Sequence, residues 1–398
     1  MWNRERKYDQ LNKTIQVGDE SVIFLHLGDL HLGKRLHEQN LIEDQKYILD
    51  QIFDIIQNHN VESVLIAGDV YDKSIPSKEA VNLFDEFLTN LSKMNIAVFI
   101  ISGNHDSGDR LNFASKILND NKIYISGIYE GKVPCVMLSD TYGKICVHLL
   151  PYVRPASIRQ IHHLETDSYI KLIREVLKTL SLDPENRNIL VAHEFVTSGG
   201  ALPERSESEC DPIGGIENID CSLFRDLDYV ALGHLHCPQS VGSDNIRYCG
   251  SPLKYSFSEA RHKKSVTLIE MKEKGNMHIE QIPLKPQHDL REIEGPFLEL
   301  MSNAEKTEDY IHAVLTDDTC IIDGLDNLRA CYPRILKLTY NNIRTREDKI
   351  IRPVESIQNK SPAELFAEFY DLMNNTPLTP EQTAVVIKAF DTVDQGEK

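Results

Sequence analysis

Short apolar runs alternate with segments of helical periodicity through the first part of this 398-residue chain, and this alternation restricts its fold more than any other feature. Six runs have the length of a strand: residues 22–27, 63–67, 96–101, 145–150, 189–192 and 229–232. Apolar residues at helical spacing separate the first three runs. A strand followed by a helix and another strand is typical of an α/β domain, which we predict here.

The length and a change of pattern indicate more than one domain. The alternation breaks near residue 283, and shorter elements follow before two closing helices. We predict an N-terminal extension at residues 1–21, an α/β domain at 22–275, a small domain at 276–355 and C-terminal helices at 356–398. Residues 199–218 are rich in Gly, Glu, Ser and Pro, which predicts a long exposed loop.

Composition restricts the class of protein. Apolar residues make up 41% and charged residues 26% of the chain, as in soluble globular proteins. The absence of a run of about 18 apolar residues argues against a membrane span, and the polar first 21 residues do not resemble a secretory signal. Eight cysteines without a C-x-x-C pair predict reduced thiols in a cytoplasmic protein.

The net charge of −18 argues mildly against a nucleic-acid partner, because proteins that bind DNA or RNA are usually basic. It does not exclude one. The local field at a cleft, and not the charge of the whole chain, attracts a phosphate, and bound divalent cations would change the sign of that field.

Five short polar motifs each follow an apolar run. They are Asp29-Leu30-His31, Gly68-Asp69, Gly103-Asn104-His105-Asp106, His193 and Gly233-His234-Leu235-His236. In open α/β sheets the loops at the carboxyl ends of the strands converge on the ligand site. We therefore expect the five motifs to meet in one cleft.

The residue types in these motifs suit divalent cations. Both side chains of a D-x-H or H-x-H pair at a strand end lie on the same side, because side chains alternate along a strand. Oxygen and nitrogen donors without thiolates favour Mn²⁺, Fe or Zn²⁺. A carboxylate can bridge two cations, and Asp69 is our candidate. Two such cations can stabilise the attacking and leaving oxygens in a displacement at phosphorus.

Each motif alone also has an ordinary interpretation. A D-x-H pair can lie on the surface, G-D and G-N mark turns, and a single histidine such as His193 is more often a buried core residue. Asp106 could orient His105 or cap the helix that follows. H-x-H also occurs in barrel hydrolases, but near the N-terminus, whereas here D-x-H comes first. Only the complete set in this order is specific.

The order of the motifs resembles that of the calcineurin-like metallophosphoesterases. More closely, several segments are similar to the SbcD family, the nuclease subunits of bacterial SbcCD complexes: residues 28–34, 67–72, 102–107, 250–253 and 259–265. The likeness extends from about residue 22 to 270, and more faintly to the C-terminus. Like the bacterial members, this chain has Asp72 where archaeal and eukaryotic relatives have histidine.

The resemblance implies a fold and an activity. The fold would be a four-layer α/β/β/α sandwich, with a small α+β capping domain that binds DNA and C-terminal helices. The activity would be hydrolysis of phosphodiester bonds at DNA ends and hairpins, within an ATP-dependent complex for DNA repair and recombination. The alternative is a stand-alone phosphoesterase that acts on nucleotides or other small phosphodiesters.

The resemblance also implies roles for individual residues. One cation, most simply Mn²⁺, would be held by Asp29, His31, Asp69 and His236. The second would be held by Asp69, Asn104, His193 and His234. His105 would contact the scissile phosphate as the catalytic residue and would not be a ligand.

The implied partners are DNA, a second copy of the chain and an SbcC-like coiled-coil ATPase, in a heterotetramer. The chain has no P-loop motif, so ATP hydrolysis would come from the partner. The apolar stripe of the C-terminal helices would dock on the coiled coil or pack on its own domain. Residues 76–120 would form the homodimer face. Basic side chains would contact phosphates or lie solvated at the surface: Lys34, Arg35, Arg110, Arg261, His262, Lys263 and Lys264.

Overall fold

Two mixed β-sheets carry the five motifs in the computed structural model, which describes residues 14–17, 21–166, 168–209, 218–342, 362–374 and 376–396. The strands, in chain order, are β1 (Ile15–Gln16), β2 (Val22–Leu27), β3 (Arg35–Leu36), β4 (Gln39–Asn40), β5 (Ser63–Ala67), β6 (Ala97–Ile101), β7 (Ile123–Ser126), β8 (Cys135–Asp140), β9 (Gly143–Leu149), β10 (Arg187–His193), β11 (Val196–Thr197), β12 (Ile219–Asp220), β13 (Tyr229–Gly233), β14 (Gln239–Val241), β15 (Ser243–Tyr248), β16 (Ser265–Met271), β17 (Met277–Pro283), β18 (Leu290–Gly295), β19 (Tyr310–Leu315) and β20 (Ile335–Tyr340).

The helices interleave with these strands. They are α1 (Ile42–Asn58), α2 (Lys78–Lys93), α3 (Gly108–Leu111), α4 (Ser115–Asn119), α5 (Pro155–His162), α6 (Tyr169–Leu177), α7 (Phe297–Ser302), α8 (Gly324–Arg329), α9 (Pro362–Asn374) and α10 (Pro380–Gly396). No helix in the described ranges combines the length and the apolar character that a membrane crossing needs.

The chain divides into two units, Met1–Leu290 and Arg291–Lys398. The first contains a six-stranded sheet in the order β17-β16-β2-β5-β6-β7 and a seven-stranded sheet in the order β1-β8-β9-β10-β13-β15-β14. Strands β2, β5, β6 and β7 pair in parallel with one another, as do β9, β10 and β13. Parallel neighbours need crossover connections, which contain α1, α2 and α3–α4 in the first sheet and α5–α6 between β9 and β10.

The two sheets pack face to face around one apolar layer. Phe24 and Phe99 of the first sheet belong to the same buried cluster as Val147, Ile189 and Ala231 of the second. Successive side chains of a strand point to opposite faces, so the alternate residues face outward. Leu190 and Leu232, for example, pack with helices α5 and α6.

Helices α1 and α2 follow β2 and β5 of the first sheet and bury one face each. The buried residues of α1 include Ile48, Ile52 and Ile56, at the spacing of an amphipathic helix. Ser77 caps α2, because its side chain accepts a hydrogen bond from the Ala80 amide. The layers are therefore helix, sheet, sheet and helix, which confirms the predicted four-layer sandwich.

The second unit has its own small core. Strands β18, β19 and β20 form a three-stranded sheet, and Leu328 of α8 packs in the cluster that contains Ile311 and Ile335. This arrangement is a small α+β unit that begins at Arg291, whereas the sequence analysis began its small domain at residue 276. The difference arises because β17 pairs with β16 in the first sheet. Helices α9 and α10 follow. Residues 1–13 and 18–20 of the predicted extension, and 343–361 before α9, lie outside the described part of the chain.

The cysteines depart from expectation. Cys135 and Cys146 form a disulfide between the antiparallel strands β8 and β9, so the prediction of reduced thiols is wrong for this pair. In the described residues the free cysteines are Cys221, Cys237, Cys249, Cys320 and Cys331. No local pattern indicates the pairing, because it depends on which strands become neighbours.

Candidate metal centre

The carboxyl ends of five parallel strands supply the candidate site. The motifs follow β2, β5 and β6 in one sheet and end or follow β10 and β13 in the other. Because the two sheets are packed together, these ends meet at one edge of the sandwich. The structure brings all eight predicted residues together there: Asp29, His31, Asp69, Asn104, His105, His193, His234 and His236.

Asp69 lies between the two halves of this cluster. Its Oδ2 atom is 3.3 Å from Nε2 of His193 and 3.6 Å from Nε2 of His31. Its Oδ1 atom accepts a hydrogen bond from the His105 amide at 2.9 Å. One carboxylate oxygen thus faces histidines from both sheets, which is the arrangement that a bridging ligand requires.

The first half of the cluster contains Asp29, His31 and His236. All three are buried, and each offers a ligand atom within 4.8 Å of the other two. The Nε2 atoms of the two histidines are 3.2 Å apart. Oδ1 of Asp29 accepts a hydrogen bond from the His234 amide, which leaves Oδ2 for another partner.

The second half contains Asn104, His193 and His234. Nδ1 of His193 is 2.8 Å from the carbonyl oxygen of Ala67, so it carries the proton and leaves Nε2 as the ligand atom. That Nε2 atom lies 2.9 Å from Oδ1 of Asn104. Nδ1 of His234 lies 3.2 Å from the same oxygen. The amide oxygen is therefore central to this half.

The donors fit divalent cations. Within the described part of the chain, Oδ2 of Asp29 is buried and has no hydrogen-bond partner. Buried polar atoms normally have partners, and leaving a carboxylate oxygen without one is costly. Several lone pairs directed at one small volume need a positive charge, and a pair of cations would satisfy the oxygens and nitrogens together.

The electrostatics support the same conclusion. Burial lowers the pKa of His31, and it lowers the pKa of His234 to about 3, so both rings are neutral and able to bind a cation. Burial opposes the charged form of His193, but Asp69 outweighs it and raises the pKa of His193 to about 10. Burial also raises the pKa of Asp29 to about 6. Without a cation, protons therefore provide part of the missing positive charge.

The backbone at the site is unusual. Four ligand candidates have positive φ: 51° at Asp29, 43° at His31, 47° at Asp69 and 102° at His234. Such conformations are rare outside glycine and cluster at functional sites. Gly103 permits the close approach of two loops, since a Cβ there would lie 2.1 Å from Oδ1 of Asp69.

His105 lies beside the ligand cluster. Its Nδ1 atom is 2.9 Å from the carbonyl oxygen of Asp72, and its ring packs edge-on against that of His31, with centroids 4.8 Å apart. A carbonyl only accepts, so Nδ1 carries the proton and Nε2 is the atom available for proton transfer. The side chain of Asp72 pairs with Lys34 at 2.8 Å. Lys34 therefore lies beside the candidate metal centre, next to Asp72.

Asp106 has a role that the sequence did not reveal. It accepts hydrogen bonds from the amides of Gly103, Val70 and Tyr71. The carboxylate thus ties the loop after β6 to the loop after β5. Neither of the predicted roles, orienting the His105 ring or capping the next helix, describes these contacts, and the cap residue of α3 is Ser107.

The basic cluster after the last motif is only partly a surface feature. Arg261 and Lys263 are exposed, but Lys264 is 5% exposed and its Nζ atom lies 2.6 Å from Oε2 of the buried Glu259. The prediction that Lys264 contacts phosphates or solvent is therefore wrong. His262 pairs with Glu204 at 3.1 Å. The sequence of a basic run cannot show which of its side chains points into the core.

Two family models match the chain. A model described as calcineurin-like phosphoesterase matches residues 23–238. A model described as type 5 capsule protein repressor C-terminal domain matches residues 286–374. The calcineurin-like phosphoesterase fold implies a two-metal centre, and the clustered Asp and His residues agree with that.

Relatives match along nearly the whole chain. The SbcD subunit of the nuclease SbcCD from Staphylococcus epidermidis is 33% identical over 367 residues, which cover 90% of this chain and 95% of that protein. Its counterpart from Staphylococcus saprophyticus is 32% identical, with 94% and 99% covered. A dimetal phosphatase from Danio rerio, 13% identical, aligns with 66% of this chain and 96% of its own at a TM-score of 0.40. The family model and the full-length relatives place this chain in the SbcD family of calcineurin-like phosphoesterases.

Proposed function

We propose that this chain is the metal-dependent nuclease subunit of an SbcCD-like complex and hydrolyses phosphodiester bonds at DNA ends and hairpins. The observation that carries the proposal is the convergence of seven ligand-type side chains on one edge of the sandwich, with a buried Asp29 oxygen that has no partner in the described part of the chain. The full-length relatives are named as nuclease subunits, which supports DNA over small phosphodiesters.

We assign the ligands to two cations. The first takes Asp29, His31, Asp69 and His236, and the second takes Asp69, Asn104, His193 and His234. The support is the position of Asp69 Oδ2 between His31 and His193. Mixed oxygen and nitrogen donors suit Mn²⁺, which we propose as the native metal.

The protein's own groups would divide the catalytic work. Divalent cations, when bound, neutralise charge on the phosphodiester and generate a nucleophile from water near neutral pH. The Asp72 carbonyl accepts from Nδ1 of His105 and orients the ring, so Nε2 would face the phosphate and, when the ring carries a proton on both nitrogens, would donate a hydrogen bond or a proton to it. Asp106 keeps the loop that carries His105 against the loop that carries Asp69. The reacting groups are thus held before substrate arrives.

Binding of DNA would depend on exposed basic residues near the motifs. Arg35, Arg110, Arg261 and Lys263 are exposed and are our candidates for phosphate contacts. We propose the small unit built on β18, β19 and β20 as a capping domain that also contacts DNA. Such contacts release counterions, so DNA binding should weaken as salt rises.

The closing helices suit a protein partner. Phe369 of α9 is 57% exposed and Val385 of α10 is 68% exposed, although both are large and apolar. Exposed apolar faces on helices are typical docking surfaces, and we propose an SbcC-like coiled-coil ATPase as the partner, in the cytoplasm. Phe113 and Ile117, 82% and 69% exposed, support a homodimer face within residues 76–120.

The test is cleavage by the purified chain, alone and with its ATPase partner. Linear duplex DNA, hairpin DNA and 2′,3′-cyclic AMP would be compared with Mn²⁺, with Mg²⁺ and with EDTA. We expect cleavage of DNA with Mn²⁺, none with EDTA, and stimulation by the partner with ATP. Hydrolysis of the cyclic nucleotide with no action on DNA in any combination would overturn the proposal in favour of a small-molecule phosphoesterase.

A further inference from the structure

His236 is held on the side away from the ligand cluster by Ser208 and by residues of the segment 259–265, to which the sequence analysis assigned no role at the metal site. Its Nε2 atom faces His31, so Nδ1 is the atom on the opposite side of the ring. Nδ1 lies 2.8 Å from Oγ of Ser208 and 3.4 Å from Oε1 of Glu259, and Ser208 also donates to that carboxylate. Glu259 thus reaches the histidine through the serine hydroxyl.

The Glu259 carboxylate is itself fixed by a buried ion pair. Glu259 is 0% exposed, and its Oε2 atom lies 2.6 Å from Nζ of Lys264. The same ammonium donates to the His236 carbonyl and to Oγ of Ser251, both at 2.8 Å. A buried ion pair seldom stabilises a fold more than apolar residues of the same size would. Glu259 contacts the ring of His236 and Lys264 contacts its backbone, which indicates that the ion pair has a functional role at the candidate metal centre.

His193, in the other half of the cluster, is supported differently. Its Nδ1 atom lies 2.8 Å from the neutral carbonyl of Ala67, and the carboxylate oxygen near it, Oδ1 of Asp29 at 4.0 Å, belongs to the candidate ligand set and is not a support behind it. A carboxylate that accepts a hydrogen bond from one ring nitrogen of a histidine makes the other ring nitrogen a stronger metal ligand than a carbonyl acceptor would. Removing the Glu259 charge should therefore affect one cation site and leave the other nearly unchanged.

We propose that Glu259, fixed by Lys264 and acting through Ser208, is a positioning residue that holds His236 in its ligand orientation and sets the affinity of the first cation site. The inference rests on the proposed function, because it assumes that His236 binds a metal. It extends that function by assigning a role to three residues that do not touch the cation or the substrate.

The test measures metal binding directly. Glu259→Gln keeps the shape and removes the charge, and the double variant Glu259→Gln with Lys264→Met also removes the ammonium that would otherwise be buried without a partner. Glu292→Gln is the matched control, since Glu292 likewise contacts Nδ1 of a histidine, His312, at 2.9 Å, but in the second unit. Mn²⁺ binding would be followed by calorimetry and electron paramagnetic resonance, and folding by thermal unfolding of the metal-free proteins.

We expect the wild type and Glu292→Gln to bind two Mn²⁺ ions. In both Glu259 variants one site should weaken by about 10- to 100-fold while the second keeps its affinity. Two unchanged sites in a folded double variant would overturn the inference and leave the nuclease proposal intact. Equal weakening of both sites would also contradict it. A wild type that binds no Mn²⁺ would remove both the inference and the proposed metal centre.

Discussion

The contact between Gly103 and Asp69 offers a stringent test of the site, because a single methyl group should disable it. In Gly103→Ala the new Cβ would lie 2.1 Å from Oδ1 and 2.4 Å from the amide nitrogen of Asp69, whereas ordinary contacts begin at 3.4 Å. The Asp69 carboxylate or the loop after β6 must therefore move by more than 1 Å. The backbone at Gly103 needs no positive φ, so the clash is the only penalty.

The size of the effect follows from that displacement. A misplacement of about 1 Å at a catalytic centre can reduce the rate by about 100-fold. The crowding should also lower the free energy of unfolding by about 1–3 kcal/mol. The measurements are kcat for Mn²⁺-dependent DNA cleavage, Mn²⁺ affinity by calorimetry, and thermal unfolding.

Gly295→Ala is the control, because a Cβ there would meet Leu300 at 3.5 Å, an ordinary contact. It should leave kcat, Mn²⁺ affinity and stability close to those of the wild type. A Gly103→Ala variant with wild-type kcat and wild-type Mn²⁺ affinity would refute the bridging position assigned to Asp69.

Three further predictions concern other parts of the first unit. His105→Gln should lower kcat by about 10²- to 10⁴-fold without loss of bound Mn²⁺. His278→Gln, at an exposed histidine, is the control. Equal losses of bound metal and of activity would contradict a purely catalytic role for His105. Arg187→Met should lower the free energy of unfolding by about 3–5 kcal/mol in denaturant titrations, because it leaves the buried Asp140 carboxylate without its cation. A loss below about 1 kcal/mol would show that the buried ion pair does not stabilise the fold in this way. Burial lowers the pKa of His148 from 6.5 to about 4, so the stability that it contributes is complete above pH 6.5 and declines as the pH falls towards 4. His148→Gln should flatten that decline, and an unchanged slope would show that other groups cause it.

The strands and the positions of the candidate ligands could be predicted because they depend on local pattern. The run at residues 63–67 is strand β5 in the structure, and Asp69 follows it as expected. An apolar run must be buried, so it becomes a strand in the sandwich, and the polar residue after it must leave the sheet at its edge. The same argument predicts that His193 and His234 lie near Asp69 and Asn104, where the structure has them.

The supporting residues could not be predicted in this way. Lys264 follows three basic or amphipathic residues, and nothing in that run distinguishes the one side chain that points inward to Glu259. Ser208 lies in a polar loop, and its contact with His236 depends on how that loop folds back over 28 residues. Asp106 binds amides from a different motif. Ser208 and Asp106 have partners 28 and 36 residues away, which local pattern does not indicate. Lys264 lies only five residues from Glu259, but its inward direction depends on how the turn between them packs.

The left-handed residues at the catalytic edge bear on how this protein can change over time. Each such non-glycine conformation costs about 1–3 kcal/mol, and Asp29, His31, Asp69 and His234 all adopt it. Replacing any of these residues with glycine would relieve the backbone strain at that position while deleting a donor. Variants that lose activity can thus be more stable than the wild type. In a lineage that no longer needs the enzyme, these four side chains would be among the first to be replaced. Stability screens alone would select against the very residues that define the enzyme.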